Sequence, residues 1–390
     1  MQRRTRVFGS IVVALTVAAV AGRAVLASTE AQTVEAPRFE VDPLWPKPLP
    51  NHWLLGSVVG VAVDSRDHVL IIHRGDSTLN QRTEAGGAAR PPIGECCVSA
   101  PPIVEFDPQG NLVRAWGGPG AGYEWPTSNH GIAVDDKDNV WIGGNGARDS
   151  HILKFTRAGE FLMQIGRPLQ ATDSRSTEHF GRVAKIAFDA RANEAFVADG
   201  YGNKRVAVVD MTTGRIKRVW GAYGSVPSDS SLGRYDPDAP LARQFRNPVH
   251  CADPSDDGLV YVCDRPNDRI QVFRKDGAFV KEQRIAPRTL GDGSVWDIAF
   301  SRDARQRYLY LADGKNERIY VLDRESLRIL TQFGDGGRQP GQFFAVHSIA
   351  TDSKGNLYTT ETYEGKRVQR FAYRGVARVP REQGVPWPRR

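Results

Sequence analysis

The apolar residues of this chain fall in short alternating runs. Ala195-Phe196-Val197-Ala198, Leu259-Val260-Tyr261-Val262-Cys263 and Tyr308-Leu309-Tyr310-Leu311-Ala312 each end on an aspartate, namely Asp199, Asp264 and Asp313. Turn signals separate the runs: Asp135 with Asn139, Asp352 with Asn356, Asp276 with Gly277. Runs of this kind, bounded by Asp, Asn and Gly, predict β-strands joined by tight turns. Beyond the N-terminal segment no long stretch has helical periodicity.

Residues 247–273 give the clearest copy of a recurring unit, NPVHCADPSDDGLVYVCDRPNDRIQVF. The first strand carries His250 and a turn follows at 254–258. The second strand ends on Asp264 and Arg265, and a third occupies 269–273. Neighbouring strands of a meander run antiparallel, so the start of the first lies beside the end of the second. His250 and Arg265 are therefore expected on one edge of the sheet. Six copies are predicted. The first opens at Val58 and, after an insertion, resumes at 102–117; the others cover 129–166, 183–221, 247–285, 295–334 and 346–375. A spacing of roughly forty to sixty residues with four strands per copy marks a β-propeller. Each copy has apolar faces that only its neighbours can cover. The expected fold is all-β: a six-bladed propeller over 58–375.

Residues 28–57 precede the blades as an extended segment. Phe39, Val41, Leu44 and Trp45 anchor it, and 39–41 offers a strand that closes the ring. Insertions at 77–102 and 222–246 are rich in Gly, Pro, Ser and charge, so they are expected as surface loops. The basic stretch 376–390 is expected to fray.

The formal net charge is +7. Arg3, Arg4, Arg6 and Arg23 belong to an N-terminal segment with the form of an export signal. Its charged start precedes an apolar run from Phe8 to Ala21, with a cleavage site at Val25-Leu26-Ala27. Residues 1–27 are read as that signal, and the mature protein as a periplasmic or secreted monomer with no membrane segment. The remaining basic residues are scattered among acidic ones, which argues against a nucleic-acid partner. Export permits disulfides among Cys96, Cys97, Cys251 and Cys263. Cys251 and Cys263 lie on neighbouring strands of one hairpin and can face each other. Cys96 and Cys97 can form a vicinal bridge or stay reduced. None has zinc-ribbon spacing.

Three of the eight histidines fall at one repeat position: His130, His250 and His347, on copies two, four and six. In a six-bladed ring they converge on the axis at third-turn intervals. Three imidazoles with a fourth position open are what a catalytic zinc needs. Gly60, Lys185 and Asp297 stand near the matching place in the other copies. The ends of the second strands add Arg74, Tyr201 and Arg265 on the same face. The arginines can clamp a carboxylate or a developing oxyanion, and Tyr201 can move a proton. Each has a plainer alternative, an inter-blade ion pair for the arginines and ring packing for Tyr201. Tyr363 is a rival for Tyr201's place. Arg205 and Arg269 recur with the repeat and are read as structural.

These motifs resemble the peptidyl-α-hydroxyglycine α-amidating lyases (peptidylamidoglycolate lyases), which are six-bladed propellers of the NHL-repeat kind. The resemblance runs over roughly residues 58–371 and rests on HRGD at 73–76, HGIAVD at 130–135, DGYGNKR at 199–205, DRPNDRIQVF at 264–273 and VHSIA at 346–350. It implies zinc at His130, His250 and His347, a catalytic Tyr201, and active-site arginines at Arg74 and Arg265. It also implies a structural calcium, held by carbonyls matching Val61 and Ile132 and by an aspartate whose place Ser348 takes here. The family's disulfide cysteines are missing, with Gly202 where one belongs. The expected activity is cleavage of the C–N bond of an α-hydroxyglycine-type amide, giving an amide and glyoxylate. The expected partner is a small-molecule or peptide substrate bearing a carboxylate. Two other readings stand beside it. One is a metal-dependent lactonase, whose carboxylate and asparagine ligands suit calcium better than a histidine ring does. The other is a non-catalytic NHL-propeller scaffold.

Overall fold

A computed structural model describes residues 33–169 and 173–388. The leader read at 1–27 lies outside the described residues. The fold is a six-bladed β-propeller of four-stranded antiparallel sheets. Blades 1 to 5 span residues 57–116, 129–166, 183–220, 249–284 and 297–333. Blade 6 takes three strands from 346–380 and its outer strand from Thr33–Asp42. Among the described residues no helix is long and apolar enough to cross a membrane.

The alternation seen in the sequence is the reason for the stacking. Val260 and Val262 of blade 4 pack toward blade 3, while Tyr261 and Cys263 pack toward blade 5. The same division of side chains produces an apolar core at each of the other interfaces. Turns of the Asp-x-x-x-Asn type close by side-chain capping: Asp135 Oδ1 accepts from the Lys137 and Asn139 amides at 2.9 and 2.8 Å. The first strand of each blade touches the first strand of the next, so six inner strands ring the axis.

The sixth copy, read as a full unit, has only three strands of its own. Residues 33–42 supply the fourth, over a longer stretch than 39–41, and so bind the two ends of the chain together. This pairing also corrects the expectation of a fraying tail. The last strand continues to Pro380 because Thr33 to Pro37 pair with it, and the Arg381 carbonyl accepts from the Gln332 amide. Both cysteine pairs are disulfides: Cys251–Cys263 across the inner hairpin of blade 4, and Cys96–Cys97 in the first insertion.

Candidate metal centre

Five of the six inner strands, those of blades 1 to 4 and 6, are bulged where they enter the ring. The pairings Asn129↔Gly144 then Ile132↔Ile142, Val249↔Asp264 then Cys251↔Cys263, and Val346↔Glu361 then Ile349↔Thr359 each leave one extra residue on the inner strand. Blades 1 and 3 do the same between Val58 and Gly60 and between Val183 and Lys185. A bulge breaks the two-residue alternation. Val249 and Ala252, three apart, therefore face one neighbouring blade and Cys251 the other. His250 is released from both and turns inward. The sequence reading missed these bulges. Their trace is a valine or isoleucine recurring at three-residue spacing within a strand, as in Val58 and Val61 or Val346 and Ile349.

The bulges bring the three histidines together. Ring centroids lie 5.2 Å apart for His130 and His250, 4.8 Å for His130 and His347, and 4.8 Å for His250 and His347. All three are buried, and they can offer one nitrogen each within 4.8 Å of one another. The strand pairings also correct the sequence register. The odd-blade residues level with the histidines are Val59, Ala184 and Trp296; Gly60, Lys185 and Asp297 lie one residue further on. The backbone at that level orients the rings. His130 Nδ1 donates to the Ala184 carbonyl at 2.7 Å and His250 Nδ1 to the Trp296 carbonyl at 2.5 Å. The Val59 backbone lies beside the His347 ring, and among the described residues His347 Nδ1 has no hydrogen-bond partner. A carbonyl only accepts, so Nδ1 of His130 and of His250 carries the proton and Nε2 the lone pair. Burial first holds all three histidines well below the ordinary value, helped by Arg74 and Arg265 at His130, by Arg265 and the other two imidazoles at His250, and by His130, Arg265 and Arg74 at His347. They are neutral, which is the ligating form.

Tyr201 joins this cluster. Its Oη is 2.9 Å from His130 Nε2 and 3.1 Å from His250 Nε2. The rival, Tyr363, is 52% exposed, and among the described residues its hydroxyl reaches only to Asp292, at 3.5 Å. Arg265 Nη1 lies 3.4 Å from Tyr201 Oη, and its guanidinium stacks 4.4 Å over the Trp296 ring. Among the described residues its Nε has no partner, and its one carboxylate neighbour, Asp292, is 3.5 Å away. Arg74 donates to the Asn129 carbonyl at 2.7 Å and to Asn145 Oδ1 at 2.8 Å, reaching from blade 1 to blade 2. Burial lowers its guanidinium from the ordinary value, and it remains a cation. Trp296, Asp292 and Asn145 were not anticipated; only Trp296 had a signal, its place in the repeat register. Arg205 and Arg269 are fully buried against Asp199 and Asp264 at 2.7 Å.

The donor set fits a zinc ion: three neutral imidazoles on a buried axis, with a phenol and two guanidinium groups on one side. The three histidines, with Lys185, Asp297 and Ser348, line an axial cavity of about 10 Å³ of free volume, room for about one water-sized particle. A larger cavity of about 620 Å³, between Asp257, Arg305, Arg307 and Arg324, opens at the other end of the strands and holds none of these groups.

This chain resembles the peptidyl-α-hydroxyglycine α-amidating lyases. It is 23% identical over 361 residues to peptidyl-alpha-hydroxyglycine alpha-amidating lyase 1 of Drosophila melanogaster, covering 86% of this chain and 60% of that protein. It is 28% identical over 315 residues to peptidyl-glycine alpha-amidating monooxygenase B of Xenopus laevis, covering 79% of this chain. The match spans only 33% of that longer protein, about a third of its length. NHL repeat-containing protein 3 of Mus musculus is 25% identical over 304 residues, covering 76% of this chain and 71% of that protein. A crystal structure of virginiamycin B lyase from Staphylococcus aureus shares the fold, with a TM-score of 0.50 and 13% identity, covering 86% of this chain and 99% of that one. No family model matches the chain.

The calcium implied by the lyase resemblance does not fit. Calcium takes six to eight oxygen ligands, carboxylates foremost. Where the family's aspartate belongs, Ser348 instead donates its hydroxyl to Asp297 Oδ2 at 2.8 Å. Asp297 Oδ1 is 2.6 Å from the Lys185 ammonium. Val61 and Ile132 therefore gain no role as calcium ligands here.

Proposed function

We propose that this protein is an exported, zinc-dependent carbon–nitrogen lyase of the peptidylamidoglycolate lyase type. The observation that carries the reading is the convergence of three neutral histidines, Tyr201 Oη and the loosely held Arg265 at one buried point. His130, His250 and His347 would hold the ion. Zinc bound there would supply Lewis acidity, making a hydroxyl at its open position easier to deprotonate.

The rest belongs to the chain. Arg265 and Arg74 hold the carboxylate of an α-hydroxyglycine-type amide, small or peptidyl, and fix its hydroxyl near Tyr201. Tyr201 Oη is the group placed to move the hydroxyl proton. As that proton leaves, the C–O bond becomes a carbonyl. The C–N bond breaks and its electron pair goes to nitrogen, which takes up a proton. The products are a primary amide and glyoxylate. The two disulfides suit an oxidising compartment and support reading residues 1–27 as an export signal. A histidine ring without carboxylate ligands speaks against the lactonase alternative.

The test is glyoxylate release from a simple α-hydroxyglycine amide by purified protein. The expected result is turnover that a chelator abolishes and zinc restores. Zinc bound stoichiometrically without turnover would overturn the substrate assignment. Absence of both would favour a non-catalytic scaffold, as the similarity to an NHL repeat-containing protein allows.

A further inference from the structure

One residue on from the histidine level, Lys185 and Asp297 begin a second axial layer, made of charge, which Asp253 joins from further along its strand. Lys185 of blade 3 sends its ammonium between two carboxylates, 2.9 Å from Asp253 Oδ1 of blade 4 and 2.6 Å from Asp297 Oδ1 of blade 5. It also donates to the Ile298 carbonyl at 3.2 Å. The other Asp297 oxygen accepts from Ser348 Oγ at 2.8 Å and from the Ile349 amide at 3.0 Å, both on blade 6. Four consecutive blades are thus linked at the axis, blades 3 to 5 through one ammonium and blade 6 through the Asp297 carboxylate. Cys251 lies beside this pair but is no ligand, because its sulfur is bonded to Cys263.

Such a pair of carboxylates needs a cation. Two carboxylates this close repel unless a positive charge lies between them. Burial works against the Lys185 ammonium, yet Asp253 and Asp297 outweigh it and raise the group above the ordinary lysine value. The charge is therefore fixed, and a divalent ion placed there would meet an ammonium at contact distance.

The geometry points to Lys185 as the resident cation of the propeller tunnel, a covalently attached replacement for a divalent metal ion that ties blades 3 to 6 together. The inference stands apart from the lyase reading, because it concerns neither the histidines nor turnover. It makes the wild-type fold indifferent to calcium. It also makes Lys185→Met a variant with two uncompensated carboxylates, open to an ion.

The experiment is a calcium titration of zinc-saturated wild-type protein and of K185M, read by calorimetry and by thermal denaturation. Wild type is expected to bind no calcium and to keep its Tm. K185M is expected to lose roughly 5–10 °C in Tm and to recover part of it with calcium. K185M/D297N is expected to lose that recovery. Stoichiometric calcium binding by wild type, with a rise in Tm, would overturn the proposal. So would a K185M protein that neither loses Tm nor responds to calcium. Where K185M does not fold, the wild-type titration decides alone.

Discussion

Arg265 and Arg269 flank one inter-strand turn of blade 4, yet the structure gives them opposite work, and paired substitutions to methionine separate the two roles. Arg269 is fully buried. Its Nε is 2.7 Å from Asp264, its Nη1 donates to Tyr223 Oη at 2.9 Å and to Glu282 at 3.2 Å, and its Nη2 donates to the Gln244 carbonyl at 3.1 Å. Removing it leaves Asp264 buried and unpaired, at a cost of roughly 3–5 kcal/mol. For a chain this long that is a fall in Tm on the order of 5–10 °C. Arg265 is 6% exposed, and its polar contacts are at 3.4 and 3.5 Å. These are too long for strong hydrogen bonds, so the fold gains little from this charge. R265M should leave Tm unchanged or higher. If Arg265 instead meets the substrate carboxylate, its loss removes a charged hydrogen bond of about 1.5–3 kcal/mol. That corresponds to roughly 10- to 150-fold in kcat/KM. Glyoxylate release at fixed zinc and thermal denaturation measure both quantities. R265M with kcat/KM within about threefold of wild type, or R269M with wild-type Tm, would refute the division.

Other outcomes follow from the same geometry. His130→Ala combined with His347→Ala should abolish stoichiometric zinc, measured by metal analysis, while the circular dichroism spectrum stays that of a β-protein; full zinc retention would end the ligand assignment. Tyr201→Phe should keep zinc and lose roughly 10²–10⁴-fold in kcat; wild-type turnover would remove the phenol from the reaction. Asp268 gives a pH test. Burial raises its carboxyl to about 7, against an unfolded value of about 3.9. The neutral form is thus favoured in the fold, so this contribution is fully present below pH ~4 and is lost as pH rises through about 7. It amounts to at most about 4 kcal/mol. Asp268→Asn, which tolerates the left-handed backbone there (φ 52°), should flatten that fall in denaturant unfolding between pH 5 and 8; an unchanged slope would count against it.

The blades were legible because they carry local evidence: short apolar second strands, tight polar turns and, in blades 3 to 5, an aspartate at the strand end. The histidine ring was legible because the repeat supplies a ruler. The rest was hidden for physical reasons. Ring closure depends on Thr33–Asp42 meeting a strand some three hundred residues away, which no local pattern encodes; it also ordered Val376 to Pro380. The one-residue offset between the histidines and Lys185 came from the bulges, which change side-chain direction without changing residue type. Asp292 and Asn145 lie in loops, where the repeat gives no register.

The offset divides the labour of the ring. At the histidine level the odd blades contribute backbone, the carbonyls of Ala184 and Trp296 with the Val59 backbone beside His347, so the side chains of Val59, Ala184 and Trp296 are left for packing. At the next level the blades are not equivalent. Gly60 and Gly131 have no room for a side chain, since a Cβ at either would lie 2.8 Å from a carbonyl oxygen of the next blade. Cys251 is turned back into its own hairpin by the disulfide. Lys185, whose chain is long enough, therefore reaches past blade 4 to Asp297 on blade 5. A short cation could not bridge that span. A third acid at position 348, in place of the hydroxyl that donates to Asp297, would leave one lysine facing three carboxylates. Serine at 348 and lysine at 185 are thus one solution to one charge problem, and neither is expected to change without the other.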